Sequence, residues 1–101
     1  MSSRAKSSKL MRALRQLVPH ATLSVIDERP WHSITFSGVQ TCIALTLSVE
    51  HHSDFVARFK RELSETEFDL NGQLVADIAV TAETNSENRI CLTIDALLLD
   101  V

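Results

Sequence analysis

Residues Trp31 to Val49 read WHSITFSGVQTCIALTLSV. Ile34 and Phe36 alternate with Ser33, Thr35 and Ser37; beyond Gly38, Ile43, Leu45, Leu47 and Val49 alternate with Cys42, Ala44, Thr46 and Ser48. Alternation with a period of two is the pattern of a strand that buries one face. Ser37-Gly38 offers a two-residue turn, which would pair Phe36 with Val39 and Ile34 with Thr41. That register gathers Ile34, Phe36, Val39, Ile43 and Leu45 on one side, so turn chemistry and apolar pattern agree. The stretch therefore predicts an antiparallel hairpin.

Upstream, Leu23 and Val25 alternate with Thr22 and Ser24, which predicts a strand over 21–26, and Asp27-Glu28-Arg29-Pro30 reads as a turn. Further back, Leu10, Leu14, Leu17 and Val18 recur at helical spacing, with Arg12 and Arg15 opposite them. Ser7 or Ser8 suits the start of this helix and Pro19 its end. Downstream, Ser53 is placed to cap a helix whose apolar stripe is Phe55, Val56, Phe59 and Leu63. Phe68-Asp69-Leu70 suits a short edge strand before the turn signal Asn71-Gly72. A last hairpin then closes the chain, with Leu74, Ala76, Ile78, Val80 and Ala82 in one phase and Ile90, Leu92, Ile94, Ala96 and Leu98 in the phase of the partner strand. Because both sets are even-numbered, directly paired residues should sum to an even number, across a loop of odd length. The order α-β-β-β-α-β-β describes an α+β domain of two layers, an antiparallel sheet of about five strands carrying two helices.

At 101 residues this is one domain, with a polar, serine-rich tail expected over residues 1–8 and the α+β domain over 9–101. No apolar run reaches the length of a membrane span. Cys42 and Cys91 form no CxxC pattern and are too few for a disulfide scaffold, which suggests reduced thiols in a cytoplasmic protein. The first residues lack the long apolar stretch of a secretory signal, although their Arg, Lys and Ser content is like that of a transit peptide.

Charge is divided by position. Residues 1–26 hold Arg4, Lys6, Lys9, Arg12 and Arg15 and no acid, a charge of +5; residues 27–101 hold the other five bases and all thirteen acids, a charge of −8, for the net −3. Such a start can seek an anionic partner, a nucleic acid above all, or pack on its own acidic body. The sequence pI near 5.7 and the scarcity of aromatics weigh against nucleic acid.

Four groups of residues are candidates for chemistry or contact. Asp77 and Asp95 interrupt apolar strands on the side away from the expected core. A register with residue sums of 172 sets them opposite each other, as an acid–base pair or a cation site; a register two residues away puts Asp95 opposite Ala79. Like charges directly opposite destabilise a sheet, which favours the second register. His51 and His52 sit at a strand-to-helix junction but lack a third metal ligand at useful spacing. Trp31 is out of phase with Ile34 and Phe36, which allows two placements: on the sheet's open face, where a Trp marks a contact surface, or packed over the strand edge or against Pro30. Cys42, Ala44, Val75, Ala79, Leu97 and Leu99 share that face, which is apolar for a surface left to water. No glycine-rich phosphate loop and no nucleophile motif accompanies them, and no cofactor is expected.

Ser33-Ile34-Thr35-Phe36-Ser37-Gly38 and the stretch from Phe68 to Ile78, FDLNGQLVADI, together resemble a family of small uncharacterised bacterial proteins. The resemblance covers the chain from Pro30 onward. It implies a bacterial cytosolic setting and carries no activity or site. The reading that follows is a non-enzymatic domain that works through contacts with protein, including a second copy of itself, with Trp31, Leu97, Leu99, Arg12 and Arg15 as contact residues. The alternatives are nucleic-acid binding through the basic helix and a small enzyme using Asp77 and Asp95.

Overall fold

The strand that begins at Ser37 carries an unbroken two-residue rhythm: Val39, Thr41, Ile43, Leu45 and Leu47 are buried, and the residues between them are not. Around it the computed structural model, which describes residues 6–48, 52–86 and 88–101 without the side chains of His52 and Ser53, builds one antiparallel sheet. The elements in order are α1 (Ser8–Leu17), β1 (Thr22–His32), β2 (Ser37–Ser48), α2 (His52–Glu65), β3 (Gln73–Ser86) and β4 (Arg89–Asp100). The sheet runs β1-β2-β4-β3, so β2 and β4 are central and β1 and β3 form the edges. The class is α+β, as the pattern predicts, but with four strands in the order α-β-β-α-β-β rather than about five in the order α-β-β-β-α-β-β.

The missing strand is explained at the first hairpin. Asp27-Glu28-Arg29-Pro30 does not turn. It continues β1 past a bulge between Val25 and Asp27, so that Pro30 pairs with Val39. Proline is tolerated there because β1 is an edge strand and needs no donor on its outer side. The turn is centred on Ile34-Thr35, three residues earlier than Ser37-Gly38: the Ser33 N–H donates to the Phe36 carbonyl at 2.7 Å, and the Ser33 hydroxyl accepts from the N–H groups of Thr35 and Phe36. A serine that captures its own downstream backbone is a turn-former in its own right. Ile34 and Phe36 consequently stand at the hairpin tip, exposed, instead of entering the core.

Two further bulges, between Val75 and Asp77 and between Val80 and Ala82, reset the phase of β3. Each extra residue flips the side chains beyond it to the other face. Only the middle of the strand keeps the expected even sum, with Ile78 opposite Ala96 and Val80 opposite Ile94. Beyond the bulges Val75 turns toward the helices, while Leu74 and Ala82 turn to the open face. Ser86 pairs with Arg89 across a two-residue connection in which Asn88 takes a φ of 59°, the left-handed geometry that asparagine accepts readily. Phe68-Asp69-Leu70 forms no strand. Its only ladder contact is an isolated bridge from Leu70 to Gln73 around Gly72, whose φ is 88°.

Both helices cover the same face. Leu10 and Leu14 of α1 and Phe59 of α2 are almost wholly removed from water and meet Ile43, Leu45, Ile90, Leu92, Ile94 and Leu98 from the sheet. Phe55 stacks on Phe59 with ring centroids 5.8 Å apart. The start of α1 is fastened in an unforeseen way. Ser7 is fully buried and does not cap its own helix. Its hydroxyl and N–H both donate to the Glu28 carboxylate, at 2.5 and 2.9 Å, and the Lys6 N–H donates to the same group at 3.1 Å. A carboxylate from β1 thus does the work of an N-cap. The Lys9 ammonium adds a bond to the Asn71 carbonyl and the Gln73 amide one to the Lys6 carbonyl. Of the tail expected over 1–8, residues 1–5 lie outside the described residues, and Lys6 to Ser8 lead into this anchor.

Candidate interaction face

Because both helices sit on one side, the opposite face of the sheet has no layer over it among the described residues. Its residues fall in rows across β1, β2, β4 and β3. The first row is Trp31, Gly38, Leu99 and Leu74; the second is Arg29, Gln40, Leu97 and Asp77; the third is Asp27, Cys42, Asp95 and Ala79. Below them come Ser24, Ala44, Thr93 and Ala82, then Thr22, Thr46, Cys91 and Thr84. Apart from Gln40 and Asp95 the central columns are small or apolar, and charge is confined to the second and third rows.

The top row depends on Gly38. A Cβ there would clash with the Leu98 carbonyl and lie 2.9 Å from the Leu99 Cα, so β2 and β4 can close up only around a glycine. Leu99 is buried although it is on the uncovered face, and Trp31 is half-buried at the β1 edge. Ile34 and Phe36 at the hairpin tip and Leu74 on β3 add exposed apolar surface at the same end of the sheet.

Beside Trp31 the face is hollowed. A cavity of about 480 Å³ is lined by Asp27, Arg29, Pro30, Trp31, Gln40, Thr41, Cys42 and Asp95. Arg29 Nε lies 3.2 Å from Asp27 Oδ2. Burial pushes the Cys42 thiol up, and the hydrogen bond to Asp95 and the charges of Asp95 and Asp27 push it further, against a smaller opposing effect of Arg29. A thiol so placed stays protonated at neutral pH, the opposite of an activated nucleophile.

The candidates named from sequence divide between three places. Trp31, Leu97 and Leu99 fall on the open face, with Trp31 and Leu99 in one row on either side of Gly38. Asp77 and Asp95 share the face but are not paired: Asp77 is opposite Leu97 and Asp95 is opposite Ala79, the register that avoids like charges side by side. Arg12 and Arg15 are exposed on α1, in the helical layer behind the sheet. His51 lies outside the described residues, and His52 opens α2. Among the described residues no group of three or more His, Cys, Asp or Glu is placed to hold a metal ion. Among the described residues no helix is long and apolar enough to cross a membrane. The contribution of Leu74 was hidden in the sequence, because the bulge that turns it outward leaves no compositional mark.

Comparison with known proteins returns no matching family model, no matching curated protein and no matching solved structure.

Proposed function

We propose that this chain is a non-enzymatic protein-interaction domain that works by burying the open face of its sheet against protein. One observation carries the reading: the face centred on Leu97, Leu99 and Gly38 has apolar and small residues where a water-facing sheet would alternate charge, and among the described residues no element covers it. Antiparallel sheets can leave one face to water, but such a face is polar. Asp77 and Asp95 are two residues apart in register, and the Cys42 thiol beside Asp95 is held neutral, so the same surface offers a contact better than a catalytic pair.

The basic segment supports the same preference. The Lys9 ammonium is engaged with the Asn71 carbonyl, whereas Lys6 reaches Glu28 through its backbone N–H, so among the described residues Lys6, Arg12 and Arg15 are the bases of that segment with side chains left to solvent. Three bases make a small footprint for nucleic acid. The resemblance to small bacterial proteins is compatible with this role and adds no activity to it.

Thiol labelling tests the proposal. Cys91 is exposed and sits on the open face. A maleimide should modify it several-fold more slowly in the source cell than in dilute purified protein, while a cysteine introduced at the exposed Gln16 of α1 labels equally in both. Equal rates for Cys91 in the two settings would remove the proposal.

A further inference from the structure

We propose that the occupant of the open face is a second copy of this chain, stacked face to face about a two-fold axis that runs along the strands between β2 and β4, with Arg29 of each copy meeting Asp77 of the other. The proposal rests on the interaction reading above and specifies its partner.

The edges of the sheet argue first. β1 carries Pro30 and a bulge, and β3 carries two bulges, so both outer strands are poor templates for strand addition. Association is left to the face. Four strands at a spacing of about 4.8 Å, each roughly 38 Å long, present on the order of 700 Å² per copy, close to the roughly 800 Å² per partner of a stable protein interface.

The charges then choose the axis. Rotation about a line along the strands carries β1 over β3 and β2 over β4 at the same height. Arg29 and Asp77 end the same row, on β1 and β3, so the operation sets Arg29 over Asp77 of the second copy, twice. Trp31 and Leu74 end the adjoining row and meet in the same way. Stacked sheets cross at about 30°, which displaces the edge strands by a few ångströms, within the reach of an arginine. A two-fold running across the strands through the middle row instead lays Asp27 and Asp95 against their own copies, and facing like charges are penalised. A self-complementary patch is what a two-fold interface requires.

Sedimentation equilibrium on the purified chain tests this. The wild type should be dimeric at high micromolar concentration. Arg29→Asp and Asp77→Arg should each weaken the dimer by about tenfold or more, which is about 1.4 kcal/mol. An equimolar mixture of the two variants should regain the wild-type affinity to within about threefold, because every cross-copy pair in the mixed dimer is again one acid and one base. Loss of the Arg29–Asp27 contact inside one chain cannot produce that rescue. Far-UV circular dichroism confirms that each variant folds, and Leu97→Arg should abolish the dimer. A wild-type dimer that survives Leu97→Arg overturns the choice of face. A dimer whose charge variants are not rescued by mixing overturns the axis. A monomeric wild type overturns the second copy as partner, and Cys91 protection in the cell then still distinguishes a different protein partner from no interaction at all.

Discussion

The two faces of this sheet are made by the same strands, one residue apart, and they differ in almost every physical respect. Toward the helices, β2 and β4 present Val39, Ile43, Leu45, Leu92, Ile94 and Leu98, all nearly removed from water. Toward the open side the same strands present Gln40, Cys42, Ala44, Thr93, Asp95 and Leu97, all half-buried. The first set has volume to fill a core, and the second has flatness and moderate polarity. The contrast separates residues that stabilise the monomer from residues that are free to serve contact.

The largest effect should come from the covered side. Phe59→Ala removes the largest fully buried side chain and should cost about 3–5 kcal/mol in urea unfolding, enough to compromise a domain of this size. Gly38→Val would break the comparison from the open side. It lies on the uncovered face, yet its side chain would meet the Leu98 carbonyl, so a loss of about 1–3 kcal/mol is expected where a surface position would show almost none.

Glu28 sharpens the contrast at the seam between layers. Partial burial raises its pKa, but the bonds from the Ser7 hydroxyl and the Lys6 and Ser7 N–H groups, with the Lys6 charge, outweigh this and hold it below 4.5. A carboxylate whose folded value is depressed adds stability above its unfolded value and gives it up as pH falls through the folded one. Glu28→Gln should therefore cost about 1 kcal/mol near neutral pH, as the loss of a helix cap does, and should flatten the acid limb of the stability profile below about pH 4.5. The smallest effect is expected for Ala44→Ser, at the centre of the open face, which should change monomer stability by less than about 0.5 kcal/mol. A loss as large as that at Phe59 would mean that the two faces are not energetically distinct.

Much of this architecture was legible in the residues. The stripes of α1 and α2 and the rhythm of β2 and β4 depend on periodicity, and periodicity is local. What escaped was every irregularity. Pro30 looked like a turn because proline usually is one, and only its place on an edge strand makes it acceptable in β1. Ser33 captured the hairpin turn from Ser37-Gly38 through its side chain, which a count of turn residues does not reveal. The bulges of β3 invert Leu74 and Val75, and nothing in that stretch distinguishes the two phases until β4 is beside it. The open face was accordingly half visible: Trp31, Leu97 and Leu99 stood out by type, while Leu74 and the need for Gly38 did not.

The divided charge shows the same boundary. Residue types alone established that a basic amphipathic helix precedes an acidic body, that its leucines demand burial, and that two layers suffice to meet the demand. Only the tertiary structure decided where that helix docks, because the deciding group is one carboxylate, Glu28, twenty-one residues from the Ser7 it holds. Periodicity follows from backbone geometry and can be read along the chain. Pairing across strands, bulges and a cap supplied from a distant strand follow from which segments meet, and that is set only when the whole chain folds together.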